Sequence, residues 1–128
     1  MIFITGGASQ GKRNFASDRL GAAVFADGRD LLLTEPVTAD CFTDYQELIR
    51  RIMDMGGDPI EFTERLCRER PDIIVIMNET GCGIVPLDKT DRLWRENTGR
   101  CGCILAGAAE LAVRMICGIP TVLKGELP

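Results

Sequence analysis

The sequence predicts an α/β protein, a three-layer α/β/α sandwich with a mostly parallel sheet. Three observations support this prediction. The apolar residues 2–4 lead into Gly6 and Gly7, as a buried parallel strand leads into a tight loop. Residues 72–77 (DIIVIM) are continuously apolar and largely β-branched, which is typical of a strand covered on both faces. Segments with helical apolar periodicity separate these strands along the chain.

Composition favours a single cytoplasmic domain spanning residues 1–128. Hydrophobic residues make up 45% of the chain and charged residues 27%, and no apolar run approaches the roughly 18 residues of a membrane span. The first residues lack the basic region and cleavage site of a secretory signal. A net charge of -4 argues against nucleic acid as a partner, although an acidic protein can still contain a local cationic pocket.

The first helix is predicted to begin at Lys12, to bury Phe15 and to stop at Gly21, a residue suited to a left-handed helix end. The segment 22–42 has a weaker pattern. It predicts a turn at Asp27 and Gly28 and a short strand over residues 31–33.

The next two helices have clear signals. An apolar stripe after Thr43 predicts an amphipathic helix that ends at Gly56 and Gly57. Asp58 is then a suitable N-cap for a second helix, with Pro59 in its first turn. This helix is expected to end before Pro71.

The C-terminal part predicts one long helix and two strands. Either Asp88 or Thr90 is expected to cap the helix, which carries Leu93 and Trp94 on its apolar side. Residues 111–117 then predict a strand and residues 118–120 a turn. Residues 121–124 are expected to return as an antiparallel edge strand.

Six cysteines occur in the chain, which contains no histidine and no C-x-x-C pair. They are therefore interpreted as reduced, partly buried thiols. The pair Cys101 and Cys103 leaves metal or redox chemistry open as an alternative.

A phosphate-binding loop is predicted at residues 6–12. This segment fits the pattern G-x-x-x-x-G-K between a strand and a helix. Its residues are Gly6, Gly7, Ala8, Ser9, Gln10, Gly11 and Lys12. Glycines let backbone N–H groups turn toward phosphate oxygens, while the helix N-terminus and the lysine supply positive charge. The alternative interpretation is a flexible turn with no ligand.

Arg13 departs from the pattern of such loops. A serine or threonine normally follows the lysine, and its hydroxyl helps to hold the Mg²⁺ that bridges the phosphates. An arginine cannot ligate a metal. Ser9, Asn14 or a water is a possible substitute, and Arg13 itself is a candidate for contacting phosphate. Nucleotide or phosphate binding is therefore predicted more firmly than Mg²⁺-dependent turnover.

A second candidate loop follows the strand at residues 72–77. It contains Asn78, Glu79, Gly81 and Gly83, and ligands of parallel sheets bind beyond the carboxyl ends of the strands. Glu79 is a candidate to approach Mg²⁺ or to accept a hydroxyl proton. The alternatives are a structural carboxylate for Glu79 and a simple tight loop for the two glycines.

Four segments together resemble one known family. They are GGASQGK near the start, NETGCGIVP in the middle, DRLWRENTGR on the long helix, and CGIPTVLK near the end. The combination resembles the adenosylcobinamide kinase / adenosylcobinamide-phosphate guanylyltransferase family of cobalamin biosynthesis. The likeness lies mainly in residues 1–20 and 72–124, and NETGCGIVP is its most specific part.

This resemblance implies a RecA-like P-loop fold, ATP or GTP as the nucleotide, a corrinoid substrate and a homo-oligomeric assembly. Residues 6–12 would take the phosphates, Lys12 and Glu79 would be catalytic, and Glu79 is the candidate for a Mg²⁺ ion. The positions that correspond to family motifs are Asn78, Glu79, Gly81, Gly83 and Pro86, followed by Arg92, Arg95, Gly99 and Arg100. Without the resemblance, the arginines fit a solvated helix face equally well.

Several family features have no counterpart in this chain. Family members pass GMP through a histidine, so guanylyl transfer by that route is excluded. No Asp-bearing strand resembling a Walker B element is recognised before Asp72. Arg13 replaces the serine after the loop lysine, and Gly102 and Cys103 replace an Asn-Gln pair.

Two hypotheses follow. The first is a short, divergent cobinamide-kinase-like enzyme that transfers the γ-phosphoryl group of a purine nucleoside triphosphate to a corrinoid hydroxyl. The second is a non-catalytic nucleotide-binding or regulatory relative that has kept the pocket and lost turnover. Unrelated P-loop enzymes and a purely structural role remain as further alternatives.

Overall fold

The computed structural model describes residues 1–80 and 88–128. Its strands are β1 (Ile2–Gly6), β2 (Phe25–Asp27), β3 (Cys41–Thr43), β4 (Ile74–Asn78), β5 (Leu111–Ile116) and β6 (Ile119–Lys124). Its helices are α1 (Lys12–Leu20), α2 (Tyr45–Asp54), α3 (Pro59–Glu69) and α4 (Lys89–Ala108). No helix in these ranges combines the length and the apolar character needed to cross a bilayer.

The six strands form one sheet in the order β2-β3-β4-β1-β5-β6. All neighbouring pairs are parallel except β5 and β6, which are antiparallel. The strand that feeds the predicted phosphate loop, β1, therefore lies between β4 and β5. The predicted α/β class, the mostly parallel sheet and the antiparallel edge strand at the C-terminus are confirmed, and the fold is of the RecA-like P-loop type.

Helices cover both faces of the sheet and produce three layers. On one face, Phe3, Val75 and Met77 belong to the same apolar cluster as residues of α2, α3 and α4. On the other face, Ile4 and Ile76 pack with Phe15 of α1. Central strands with apolar side chains on both faces have the continuous hydrophobic pattern that predicted them.

The helix ends follow the predicted signals. Gly21 ends α1 in the left-handed conformation, with φ 74°. The Asp58 carboxylate accepts hydrogen bonds from the Ile60 and Glu61 amides at the start of α3. For α4 the choice between two candidate caps is settled, because the Asp88 carboxylate accepts from the Thr90 amide at 2.7 Å.

The segment between α1 and α2 differs from its prediction. Residues 31–33 do not form a strand; the strands here are β2 and β3, each of three residues. Arg51 holds the 28–31 segment as a loop by donating to the Gly28 and Leu31 carbonyls, both at 2.8 Å. The apolar run over residues 31–33 arises because Leu31 and Leu33 pack on the core from this loop. The predicted turn after Asp27 is confirmed.

The predicted turn at residues 118–120 is shifted toward the N-terminus. The structure has its turn at Cys117 and Gly118, and Pro120 already pairs with Met115 in β6. Proline is tolerated here because β6 is an edge strand.

The five cysteines within the described ranges are all free thiols. Cys41 and Cys101 are buried, and burial raises the thiol pKa to about 12 for Cys41 and to about 11 for Cys101. Cys103 and Cys117 are exposed. Buried thiols with raised pKa values are protonated at neutral pH and therefore unreactive.

Candidate functional site

The loop between β1 and α1 has the backbone of an anion cradle. Gly6, Ser9 and Gly11 all have positive φ angles, of 145°, 57° and 90°. At Gly6 the close approach of β5 adds a second constraint, because a Cβ atom built there would lie 2.5 Å from the Met115 carbonyl oxygen. The loop therefore requires glycine at Gly6 for both backbone conformation and space.

The turn between β5 and β6 holds this loop from the side. The Cys117 amide donates to Gln10 Oε1 at 2.6 Å, and the Gly118 amide donates to the Gln10 carbonyl at 3.0 Å. These bonds fix the middle of the predicted phosphate loop to the turn that follows the neighbouring strand β5. The sequence places the two segments more than 100 residues apart, so their contact was not predictable from the motif alone.

Lys12 lies at the first position of α1 and is 6% exposed. Its ammonium group donates to the Gly7 carbonyl across the loop. Desolvation by burial lowers the pKa of Lys12, while the nearby carboxylates of Asp44 and Glu79 act in the opposite direction. A phosphate in the loop would supply the negative charge that favours the protonated ammonium.

A cavity of about 370 Å³ opens beside this lysine. Its lining includes the loop and first-turn residues Ser9, Gln10, Gly11, Lys12, Arg13 and Asn14, together with Thr43, Asp44, Ile76 and Asn78. The structure thus brings most of the predicted phosphate loop and the predicted Asn78 to one space. The other three loop residues precede those that line the cavity. Gly6 is the last residue of β1, and Gly7 and Ala8 belong to the turn that follows it.

Arg13 lies on the rim of this cavity with its guanidinium 4.2 Å from the centre of the Phe25 ring. The arginine therefore makes a cation–π contact with β2. This contact directs the side chain toward β2. The sequence pattern identified the unusual residue but gave no indication of this aromatic partner.

Glu79 follows β4 and forms a two-pronged ion pair with Arg114 of β5. The distances are 2.7 Å from Arg114 Nε to Glu79 Oε1 and 3.1 Å from the arginine's Nη2 to Oε2. The Glu79 amide donates to the Gly6 carbonyl at 2.9 Å, which ties the second loop to the first. Glu79 therefore has the local structural pairing that was the alternative interpretation, while it remains close enough to influence Lys12 electrostatically.

Asp44 is a candidate site residue that the sequence interpretation missed. It follows β3 directly, has φ 50°, and lines the cavity near Lys12. Its two carboxylate oxygens accept from Arg29 Nη2 at 3.1 Å and from Gln46 Nε2 at 3.2 Å. The short strand β3 thus leads directly to a carboxylate in the cavity of the phosphate loop. Asp40, at the other end of β3, instead accepts from the Ala23 and Val24 amides.

Gln46 positions this side of the site and was also missed. It is 3% exposed, and its Oε1 accepts from the Asn78 amide at 2.9 Å. Its backbone carbonyl accepts from the indole N–H of Trp94 at 2.8 Å. Gln46 therefore connects Asp44 and the end of β4 through its side chain, and helix α4 through its backbone carbonyl. A polar residue within an otherwise apolar helical stripe was the only sequence signal.

The positions on α4 that correspond to family motifs differ in their surroundings. Arg100 pairs with Glu96 one helical turn away, at 2.7 Å. Arg95 and Gly99 line a second cavity of about 360 Å³, against the sheet face opposite α1. Arg92 is exposed. Gly81, Gly83 and Pro86 lie outside the described residues.

A divalent metal bound at this site would have few protein ligands and would depend on phosphate oxygens for the others. Within residues 1–80 and 88–128, no group of three or more cysteine, aspartate or glutamate side chains is arranged to hold a metal. Mg²⁺ typically takes one or two carboxylates and completes its shell with phosphate oxygens and water. Asp44 has the matching chemistry, and it lies within the phosphate-loop cavity.

Comparison with protein families gives a match to the model described as cobinamide kinase / cobinamide phosphate guanyltransferase, over residues 39–123. The matched region runs from the residue before Asp40 to the next-to-last residue of β6 and includes β3, β4 and α4. A comparison with curated proteins gives no match. Because the matched region covers well over half of the chain, the chain belongs to the cobinamide kinase / cobinamide phosphate guanyltransferase family of enzymes.

Proposed function

We propose that the chain binds a nucleoside triphosphate, ATP or GTP, in the 370 Å³ cavity and transfers its γ-phosphoryl group to a hydroxyl of a corrinoid. The observation that carries this proposal is Lys12, a buried ammonium held at the base of a left-handed glycine loop. Membership in the family supports a corrinoid as the acceptor.

The proposed step is an in-line displacement. The acceptor hydroxyl oxygen forms a bond to the γ-phosphorus, the bond from that phosphorus to the β,γ-bridging oxygen breaks, and the nucleoside diphosphate leaves. The hydroxyl proton passes to a carboxylate or to water. Lys12 and the loop amides stabilise the charge on the phosphate oxygens. Asp44 is the proposed carboxylate ligand of a metal ion. Glu79 is a second candidate, either to bind the metal or to accept the hydroxyl proton.

The guanylyl transfer that the family name also describes is not part of this proposal. The resemblance implies a histidine as the carrier of GMP, and the chain contains none. We therefore propose a protein that carries out the kinase half of the family's chemistry.

A phosphorylation assay tests the proposal. Wild-type protein in molar excess over cobinamide, with labelled ATP or GTP and Mg²⁺, is expected to give phosphorylated cobinamide. Lys12→Ala should lose product at least a hundredfold, whereas Lys89→Ala, which removes an exposed lysine on α4, should retain wild-type activity. Failure of the wild type to form product with either nucleotide would overturn the kinase proposal.

The second candidate is nucleotide binding without turnover. Arg13 occupies the position of the usual metal-binding hydroxyl and packs on Phe25, and both Glu79 oxygens are paired with Arg114. A protein of this kind would be stabilised by nucleotide equally well with Mg²⁺ and with EDTA, and would form no product. Stabilisation that requires Mg²⁺ would argue against this candidate.

A further inference from the structure

The second cavity lies beside the phosphate-loop cavity but on the opposite face of the sheet. Its floor contains Phe3 and Met77, which belong to the cluster under α2, α3 and α4, whereas Ile76 lines the first cavity and packs on the α1 side. Asn78 lines both cavities. The two spaces therefore meet at the carboxyl end of β4, where ligands of parallel sheets bind.

The second cavity has an apolar floor, and four of its polar residues lie together at the strand ends. Thr5, Asn78, Glu79 and Thr80 lie at or just beyond the ends of β1 and β4, on the side that faces the phosphate loop. Phe3 is two residues back along β1, so its ring lies deeper on the same face as Thr5. An apolar interior with a few polar groups at one end is the usual construction of a small-molecule site.

Helix α4 contributes the open space. Arg95 and Thr98 line the cavity from this helix, and its other lining residues, Gly99, Gly102, Cys103 and Ala106, have no long side chain. At Gly102 a Cβ atom would already lie 3.0 Å from the terminal methyl of Met77. Larger residues at Gly102 or Cys103 would therefore fill part of the cavity. The family resemblance has an Asn-Gln pair at these two positions, so the smaller residues of this chain leave more open space there.

We propose that this cavity binds the hydroxyl-bearing aliphatic arm of the corrinoid acceptor. This inference rests on the proposed function. A volume of about 360 Å³ is at the lower end of the range of small-molecule pockets, so it accommodates an arm and leaves the macrocycle outside. The apolar floor takes the hydrocarbon part of the arm, and the polar end directs its hydroxyl past Asn78 toward the γ-phosphate.

The test fills the cavity from an exposed position. Cys103→Phe introduces a ring into the cavity at an exposed helix residue, and Ala108→Phe makes a similar change at an exposed position of α4 outside the cavity. Cobinamide binding is measured by equilibrium dialysis without nucleotide, and nucleotide binding by the shift in Tm with ATP or GTP. Cys103→Phe should weaken cobinamide binding at least tenfold and leave the nucleotide shift unchanged, and Ala108→Phe should change neither.

The outcomes separate this inference from the proposed function. If Cys103→Phe binds cobinamide as the wild type does, the arm binds elsewhere and the inference is wrong. It is also wrong if the wild type responds to nucleotide but binds no cobinamide. A wild type that binds cobinamide but shows no nucleotide shift would contradict the proposed function, while the loss of that binding in Cys103→Phe would still support the cavity as the corrinoid site.

Discussion

Arg13 shows how a single residue changes the chemistry expected of a phosphate loop. Its guanidinium packs 4.2 Å from the centre of the Phe25 ring, a contact worth about 0.5–1 kcal/mol at an exposed site. The arginine therefore has a structural partner on β2 and also lines the 370 Å³ cavity beside Lys12.

Arg13→Ser is expected to restore the hydroxyl that usually helps to hold Mg²⁺. Nucleotide stabilisation should then become more dependent on Mg²⁺, while the free energy of unfolding without ligand falls by about 0.5–1 kcal/mol as the contact with Phe25 is lost. Thermal denaturation with and without Mg²⁺ measures both effects. Arg19→Ser, at an exposed position of the same helix, is the control for the metal dependence alone, because Arg19 has its own ring contact with Phe15 at 6.0 Å. Unchanged metal dependence in Arg13→Ser would show that this position does not govern the metal.

Asp44→Asn tests the carboxylate that follows β3. The substitution keeps the size of the side chain but removes its charge, so a metal bound with the nucleotide loses one ligand. We expect the Mg²⁺-dependent part of nucleotide affinity to fall at least tenfold in a calorimetric titration. Asp40→Asn, outside the cavity, should bind nucleotide and Mg²⁺ as the wild type does. Wild-type Mg²⁺ dependence in Asp44→Asn would exclude this residue as the metal ligand.

Site residues differed in how far the sequence predicted them. The loop residues and Asn78 were predicted because a glycine pattern and a strand end mark them. Asp44 and Gln46 were not predicted. The position of Asp44 depends on a left-handed backbone, and that of Gln46 depends on hydrogen bonds with Asn78 and Trp94. Such contacts join distant segments and leave no local pattern.

At the scale of elements, the close packing of β1 against β5 determines the shape of the loop. Gly6→Ala is expected to destabilise the protein by about 2 kcal/mol or more, because the added methyl group meets the Met115 carbonyl and the φ angle of 145° is strained for alanine. Urea unfolding measures the change. Gly107→Ala, at an exposed helical position with no atom near the added methyl, should be neutral or stabilising by up to about 1 kcal/mol. Equal stability of both variants would contradict this explanation of Gly6.

Long elements were predictable and short ones were not. The helices α2, α3 and α4 have apolar stripes and capping residues, and β1, β4 and β5 have apolar runs of sufficient length. The strands β2 and β3 have three residues each, too few for a periodic pattern to appear. The three leucines at 31–33 gave the stronger local signal, yet they belong to a loop held by Arg51.

At the scale of the whole molecule, the strand order explains why separate motifs form one site. With β1 between β4 and β5, the phosphate loop has Asn78 and Glu79 on one side and the turn at Cys117 and Gly118 on the other. One cavity lies toward α1 and the other toward α4, and they meet at Asn78. The fold thus places the cavity proposed for the nucleotide and the cavity proposed for the corrinoid arm at the same edge of the sheet.

Nucleotide-dependent stabilisation of the whole protein tests the central claim, that the loop at Lys12 binds the phosphates of a nucleoside triphosphate. ATP or GTP at a hundred times its dissociation constant should add about 2.7 kcal/mol to the free energy of unfolding. The gain should be absent in Lys12→Ala and intact in Lys89→Ala. If neither nucleotide stabilises the wild type at millimolar concentration, or if Lys12→Ala is stabilised equally, the phosphate loop does not have the role assigned to it.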